Sequence, residues 1–80
     1  MTKNESHVEQ ILVSAYDSIK NRDYKRGKDL LEKVIEINPN IPEVTNDLGL
    51  LNSNLGNFDK AIELFEKAIH LKSDFSLAFN

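Results

Sequence analysis

The sequence predicts an all-α fold: a short helical-repeat solenoid of two antiparallel helix pairs, followed by the start of a fifth helix. Three observations carry this. Apolar residues recur close to every 3.6 positions, and no alternating apolar–polar run of the kind a strand needs is present. Both prolines and Gly56 fall at the breaks between the periodic segments. A shift of 34 residues lays the second half of the chain over the first with packing positions matched in size. Eighty residues make one small domain, near the size at which a single core is only marginally stable.

The first helix is expected to open near Ser6, which can cap an early backbone amide while Glu9, three residues on, reaches back to form a capping box. Val8, Ile11, Leu12, Ala15, Tyr16 and Ile19 then carry its apolar side as far as "NRD" (21–23). Asp23 is a good cap for the second helix, which runs through Leu30, Leu31, Val34, Ile35 and Ile37. That helix must stop at "NPNIP", because Pro39 has no amide to donate and pushes Asn38 away from helical angles. Pro42 suits a first helical position, where its missing amide would be unpaired anyway. Val44, Leu48, Leu51 and Leu55 line the third helix, and Gly56 supplies a left-handed stop. Asn57 or Phe58 opens the fourth, with Ala61, Ile62, Phe65, Ala68, Ile69 and Leu71 on its apolar side. It is expected to fade at Lys72 or Ser73, with a fifth helix starting at Asp74.

The repeat is gapless. Tyr24 falls on Phe58, Gly27 on Ala61, Leu31 on Phe65, Val34 on Ala68, Ile35 on Ile69 and Ile37 on Leu71, and Glu32-Lys33 recurs as Glu66-Lys67. Ala15 falls on Gly49 and Glu9 on Glu43 at the same offset. A 34-residue period of two helices is the signature of the tetratricopeptide repeat, and the chain resembles that family from Val8 to Asn80. Leu48-Gly49 stands at the family's leucine–glycine pair, Phe58 at its aromatic, and Ala61, Phe65 and Ala68 at its small-large-small series. The resemblance divides the chain into a polar lead (1–7), a first repeat (8–41), a second (42–75) and the truncated start of a third (76–80). Thr45 and Ile11 replace the bulky aromatic of the first helix, Asn52 and Ser18 its second aromatic, and Ser73 the terminal proline; these are expected to weaken local packing. Gly49, Ala15, Ala61 and Gly27 are small where helices should cross closely. Gly27 inside a helix costs about 0.5–1 kcal/mol relative to alanine, so Gly27→Ala is expected to stabilise the first unit.

Composition narrows the function. The net charge of −3 is modest and the signs are interspersed. "KNRDYKRGK" (20–28), the nearest approach to a basic run, is broken by Asp23, so no nucleic-acid partner is expected. There is no cysteine, which removes disulfide and thiolate chemistry. The polar N-terminus lacks the apolar core of a signal peptide, and no apolar run approaches the ~18 residues of a membrane span. A cytoplasmic protein without membrane insertion is the expectation. His7 and His70 have no partners at recurring metal-ligand spacing, and Gly27, Gly49 and Gly56 are isolated rather than gathered in a phosphate loop. Glu63 and Glu66 sit beside Lys60 and Lys67 as solvated helix-surface pairs. No catalytic residue, cofactor or metal is expected, and the chain is read as a non-enzyme.

The resemblance implies a concave surface lined by the first helices, holding an extended peptide or another protein's helix. Carried onto this sequence, its lining is Glu9, Leu12, Val13, Tyr16, Ile19 and Lys20 from the first unit, with Glu43, Asn46, Asp47, Leu50, Ser53 and Asn54 from the second. Members of the family that grip acidic chaperone tails use a lysine and an asparagine on the first helix. Leu12 and Tyr16 occupy those places here, and the second unit adds Asp47, so a ligand with apolar anchors and some positive charge fits better. The function implied is a protein- or peptide-binding scaffold or adaptor, the N-terminal part of a longer array. Two alternatives stand beside it: an N-terminal array that positions a downstream catalytic domain such as a transferase, and a small standalone dimer that self-associates through Phe75, Leu77 and Phe79 at the exposed C-terminal end.

Overall fold

The computed structural model describes the backbone of residues 3–78 and the side chains of residues 7–73. It contains four helices: α1 (Lys3–Lys20), α2 (Tyr24–Ile37), α3 (Pro42–Asn54) and α4 (Phe58–Ala78), with no strand among the described residues. α1 packs on α2, α2 on α3 and α3 on α4, so each middle helix has two neighbours and each outer helix one. Ile11, Ala15, Leu31, Val34, Val44, Leu48 and Leu51 form one buried cluster across the first three helices, and Ala61 and Ala68 are buried on α4.

The two helix–helix turns repeat each other bond for bond. At the first, Arg22 N–H donates to Ile19 O (2.9 Å) and Asp23 N–H to Ser18 O (2.8 Å). At the second, Gly56 N–H donates to Ser53 O (3.1 Å) and Asn57 N–H to Asn52 O (2.8 Å). Both turns need a left-handed residue at the same place. Gly56 supplies it at φ +87°, while Arg22 is forced to φ +65°, which costs a residue with a Cβ about 1–2 kcal/mol. The side chain of Asp23 then caps α2 by accepting from Arg26 N–H (3.4 Å). Between the pairs, Asn38 is extended as its proline neighbour dictates, and Pro42 is the first residue of α3.

The structure corrects four expectations. α1 begins at Lys3 rather than near Ser6, so Ser6 and Glu9 lie inside the helix and form no capping box at its start. α4 does not fade at Lys72 or Ser73: it continues to Ala78, and no fifth helix opens at Asp74. The reason is in the sequence, since Ser73 replaces the proline that would break the helix and neither glycine nor proline follows it. The side chains of Phe75, Leu77 and Phe79, offered above for self-association, lie outside the described residues.

The third correction concerns Ser18, Thr45 and Asn52, expected to loosen the packing. All three are buried and bonded. Ser18 Oγ donates to Ser14 O (2.9 Å), Thr45 Oγ1 to Ile41 O (3.1 Å) and Asn52 Nδ2 to Leu48 O (2.9 Å), while Asn57 Nδ2 donates to Asn52 Oδ1 (3.2 Å). The Asn52 amide thus ties α3 to the residue just before α4. Among the described residues no buried side-chain polar atom lacks a partner, which removes the desolvation cost such groups would otherwise impose.

The fourth concerns Gly27. The helices do cross closely there and at Gly49, but there is no room for a methyl group. A Cβ on Gly27 would stand 2.8 Å from Ile19 Cγ1 and 3.4 Å from Ala15 O, and one on Gly49 would stand 2.7–2.8 Å from the Phe65 ring. Both lie inside ordinary carbon–carbon contact of about 3.5–4.0 Å. The glycines set the crossing distances themselves.

Candidate functional site

α1 and α3 present their outer residues on one side of the molecule. On α1, Glu9, Val13, Tyr16 and Lys20 follow the 4-3-4 spacing of a single helix stripe, and all four are exposed. On α3, Glu43, Asp47, Leu50 and Asn54 repeat that spacing; Glu43, Leu50 and Asn54 are exposed, as is Asn46, while Asp47 and Ser53 are half-buried. Three apolar side chains stand open on this face: Val13 at 70% exposure, Leu50 at 51% and Tyr16 at 41%.

One bond joins the two helices across the face. Tyr16 O–H donates to Asp47 Oδ2 at 2.5 Å, although the residues are 31 apart in sequence. Partial burial raises the Tyr16 hydroxyl pKa well above the ordinary tyrosine range; the hydrogen bond to Asp47 and the negative charges of Asp47 and Glu43 add to the effect. The phenol is therefore neutral throughout the physiological range. Carboxylates outnumber cations on the face, with Glu9, Glu43 and Asp47 set against Lys20, so its chemistry is apolar anchors beside a negative field.

Of the residues assigned to this surface from sequence, the structure turns two inward. Ile19 packs against the core and next to Gly27, so it belongs to the α1–α2 crossing rather than to the open face; it lies one turn after buried Ala15 on the inward side of α1. Leu12 is half-buried and also rests on the core. The Tyr16–Asp47 bond was missed in sequence, yet its signal is in the register. Tyr16 is equivalent to Leu50 under the 34-residue shift, and Asp47 lies one turn before Leu50 on the same stripe.

Among the described residues no three histidine, cysteine, aspartate or glutamate side chains lie close enough to hold a metal ion, and no described helix is long and apolar enough to cross a membrane.

Comparison with known proteins agrees with this architecture. Residues 42–75 match the model of the family described as tetratricopeptide repeat. The chain is 35% identical over 75 residues to a TPR repeat-containing protein of Methanocaldococcus jannaschii, an alignment covering 92% of this chain and 24% of that protein. It is 38% identical over 58 residues to the mitochondrial import receptor subunit TOM70 of Homo sapiens, covering 71% of this chain and 10% of the receptor. The chain therefore spans a minor part of the length of either relative. No solved structure matches it.

Proposed function

Because the chain belongs to the tetratricopeptide-repeat family, we propose that it is a non-catalytic protein-binding module, acting as a scaffold or adaptor in the cytoplasm through the α1–α3 face. The observation that carries this reading is the row of exposed apolar side chains, Val13, Tyr16 and Leu50, set beside Asp47, Glu43 and Glu9. Isolated exposed apolar residues need no explanation, but a row of them on adjacent helices with polar edges is what a binding groove requires. Similarity to a mitochondrial import receptor subunit supports a binding role.

The ligand that suits this face is an extended peptide or a helix with apolar anchors spaced to meet Val13 and Leu50, and a lysine or arginine placed to meet Asp47. Such a cation competes with the Tyr16 hydroxyl for the carboxylate. Specificity on this reading comes from the acid between the apolar contacts, since apolar burial alone is non-directional.

Panning a random-peptide library on the immobilised chain, followed by NMR titration with the strongest binder, tests the proposal. Enrichment of peptides combining large apolar and basic residues is expected, with amide shifts concentrated at Val13, Tyr16, Asp47 and Leu50. The double variant Tyr16→Ala/Leu50→Ala should lose that binding while keeping its helical circular dichroism. Shifts confined to α2 and α4, or binding untouched by the double variant, would refute it.

A further inference from the structure

Half of the chain's ten lysines and arginines fall within nine residues, as Lys20, Arg22, Lys25, Arg26 and Lys28, with Asp23 as the one acid between them. Twelve of the thirteen carboxylates lie elsewhere, against the other five cations. The fold gathers Lys20, Arg22, Lys25 and Arg26 at one tip of the molecule, the turn from α1 into α2 and the first residues of α2, and all four are exposed. Among the described residues none of these four forms an ion pair, whereas Lys28 pairs with Glu32 at 3.8 Å. Asp23 interrupts the tip less than its place in the sequence suggests, because its carboxylate turns onto the α2 backbone and accepts from Arg26 N–H.

The second unit makes the same turn without this charge. At the 34-residue offset Lys20, Arg22, Lys25 and Arg26 fall on Asn54, Gly56, Asp59 and Lys60. Gly56 suits the left-handed position, which Arg22 enters at a cost. Asp59 suits the first turn of a helix, where the backbone amides present positive charge; α2 has no acid in its first turn, and Lys25 and Arg26 add to that charge instead. The turn itself does not need these cations and is weakened by them, which points to a role outside folding.

Stacking leaves this edge of the array open. The first unit has a neighbour after it and the second a neighbour before it, yet residues 20–23 and 54–57 are exposed at both turns. A further unit added on either side would not bury the tip, so its occupant comes from outside the stack. Charge sets the chemistry and size of that occupant. Asp17 and Asp29 lie one helical turn inward from the tip and confine the positive potential to it. A long polyanion or a charged plane would meet repulsion on spreading over the acidic remainder of the molecule, while a short acidic segment fits within the tip.

We propose that the tip formed by Arg22, Lys25 and Arg26 binds a short aspartate- or glutamate-rich segment of a partner protein, with Lys20 at its border with the α1–α3 face. This surface is separate from the groove proposed above, selects the opposite charge and stands without it.

The test titrates a synthetic glutamate-rich peptide and its glutamine analogue against the 80-residue chain by fluorescence anisotropy. The glutamate peptide is expected to bind at least about tenfold more tightly at low salt, with the difference shrinking as added salt screens the tip. Lys25→Glu/Arg26→Glu should abolish the preference, and because acids suit a helix N-terminus this double variant should melt no lower than the parent. Arg22→Gly should weaken binding about threefold while the fold gains stability, a pairing that a merely structural role would not produce. Tyr16→Ala/Leu50→Ala should leave this binding unchanged, which separates it from the groove. Equal binding of the two peptides, or none, overturns the proposal, as does binding that survives both tip variants or is lost in the groove variant. Tighter binding of a single-stranded oligonucleotide or of anionic vesicles assigns the tip to nucleic acid or to a membrane surface and overturns it too. Failure of a longer form of the chain to bind the glutamate peptide assigns the tip to its own continuation, with the same consequence.

Discussion

Replacing Gly27 by alanine sets two opposed effects against each other. Alanine is worth about 0.5–1 kcal/mol over glycine within a helix, because the unfolded chain gives up less backbone freedom. Against this, the new methyl lies 2.8 Å from Ile19 Cγ1, and the gap must open by about 0.6 Å to reach even the near limit of ordinary contact at 3.4 Å. Cγ1 is not the loose end of a side chain. It sits one bond from a β-branched carbon whose rotamer a helix fixes, and Ala15 O at 3.4 Å closes the route on the other side. Overpacking of this kind costs typically about 1–3 kcal/mol, so Gly27→Ala should destabilise the protein by about 1 kcal/mol net. Thermal melting by circular dichroism should fall by about 4–8 °C in a domain this small, with urea unfolding agreeing in direction. The double variant Gly27→Ala/Ile19→Ala isolates the clash: removing Cγ1 should restore alanine's advantage of about 0.5–1 kcal/mol, so the cycle should show a coupling of about 1.5–2 kcal/mol. A single variant that melts higher than the parent, with no coupling to Ile19, would refute the close-crossing account.

Other positions give sharper single readouts. Arg22→Gly should raise the urea midpoint by relieving the left-handed strain, a gain of about 0.5–1 kcal/mol after glycine's own entropy is set against it. Asn52→Ala should cost about 1–2 kcal/mol from a lost buried amide and a small void, more than Ser18→Ala, which forfeits only a back-bond within α1. Tyr16 titrates in the folded chain above 10.0, its ordinary value, so its contribution to stability is fully present below that pH and declines as pH rises toward the folded value. Tyrosinate absorbance of the native protein should therefore show a late-ionising component that Tyr16→Phe removes. If both proteins titrate alike, the Tyr16–Asp47 bond does not form in solution.

Much of this fold is legible in residue pattern because its signals are local. Pro39, Pro42, Gly56 and Asp23 act on their own backbone or the next turn, and each marks a boundary where the structure has one. The 34-residue register then brings distant positions into correspondence without any knowledge of their contacts. Helix ends without a chemical stop were harder to read: nothing in "KSDFSLA" forbids helix, and α4 runs through it. The sign of Gly27→Ala was not legible, because helix propensity belongs to one residue whereas the clash belongs to Ile19, on another helix. Burial of Asn52 was hidden for a related reason: its partners, Leu48 O and the Asn57 amide, are ordinary groups whose placement depends on the turn. The open face was legible as a set of stripes, but the inward turn of Ile19 follows from packing at the crossing.

Among the described residues the α2–α3 seam is where the backbones of the two helix pairs come together, with the Tyr16–Asp47 bond as a side-chain link from α1 to α3. In a linear array, stability divides into what each unit holds internally and what passes through the junction. Leu31 and Val34 on α2, with Val44, Leu48 and Leu51 on α3, are therefore the residues that make the two pairs melt as one body. Trimming that seam decouples them, and one unfolding transition separates into two.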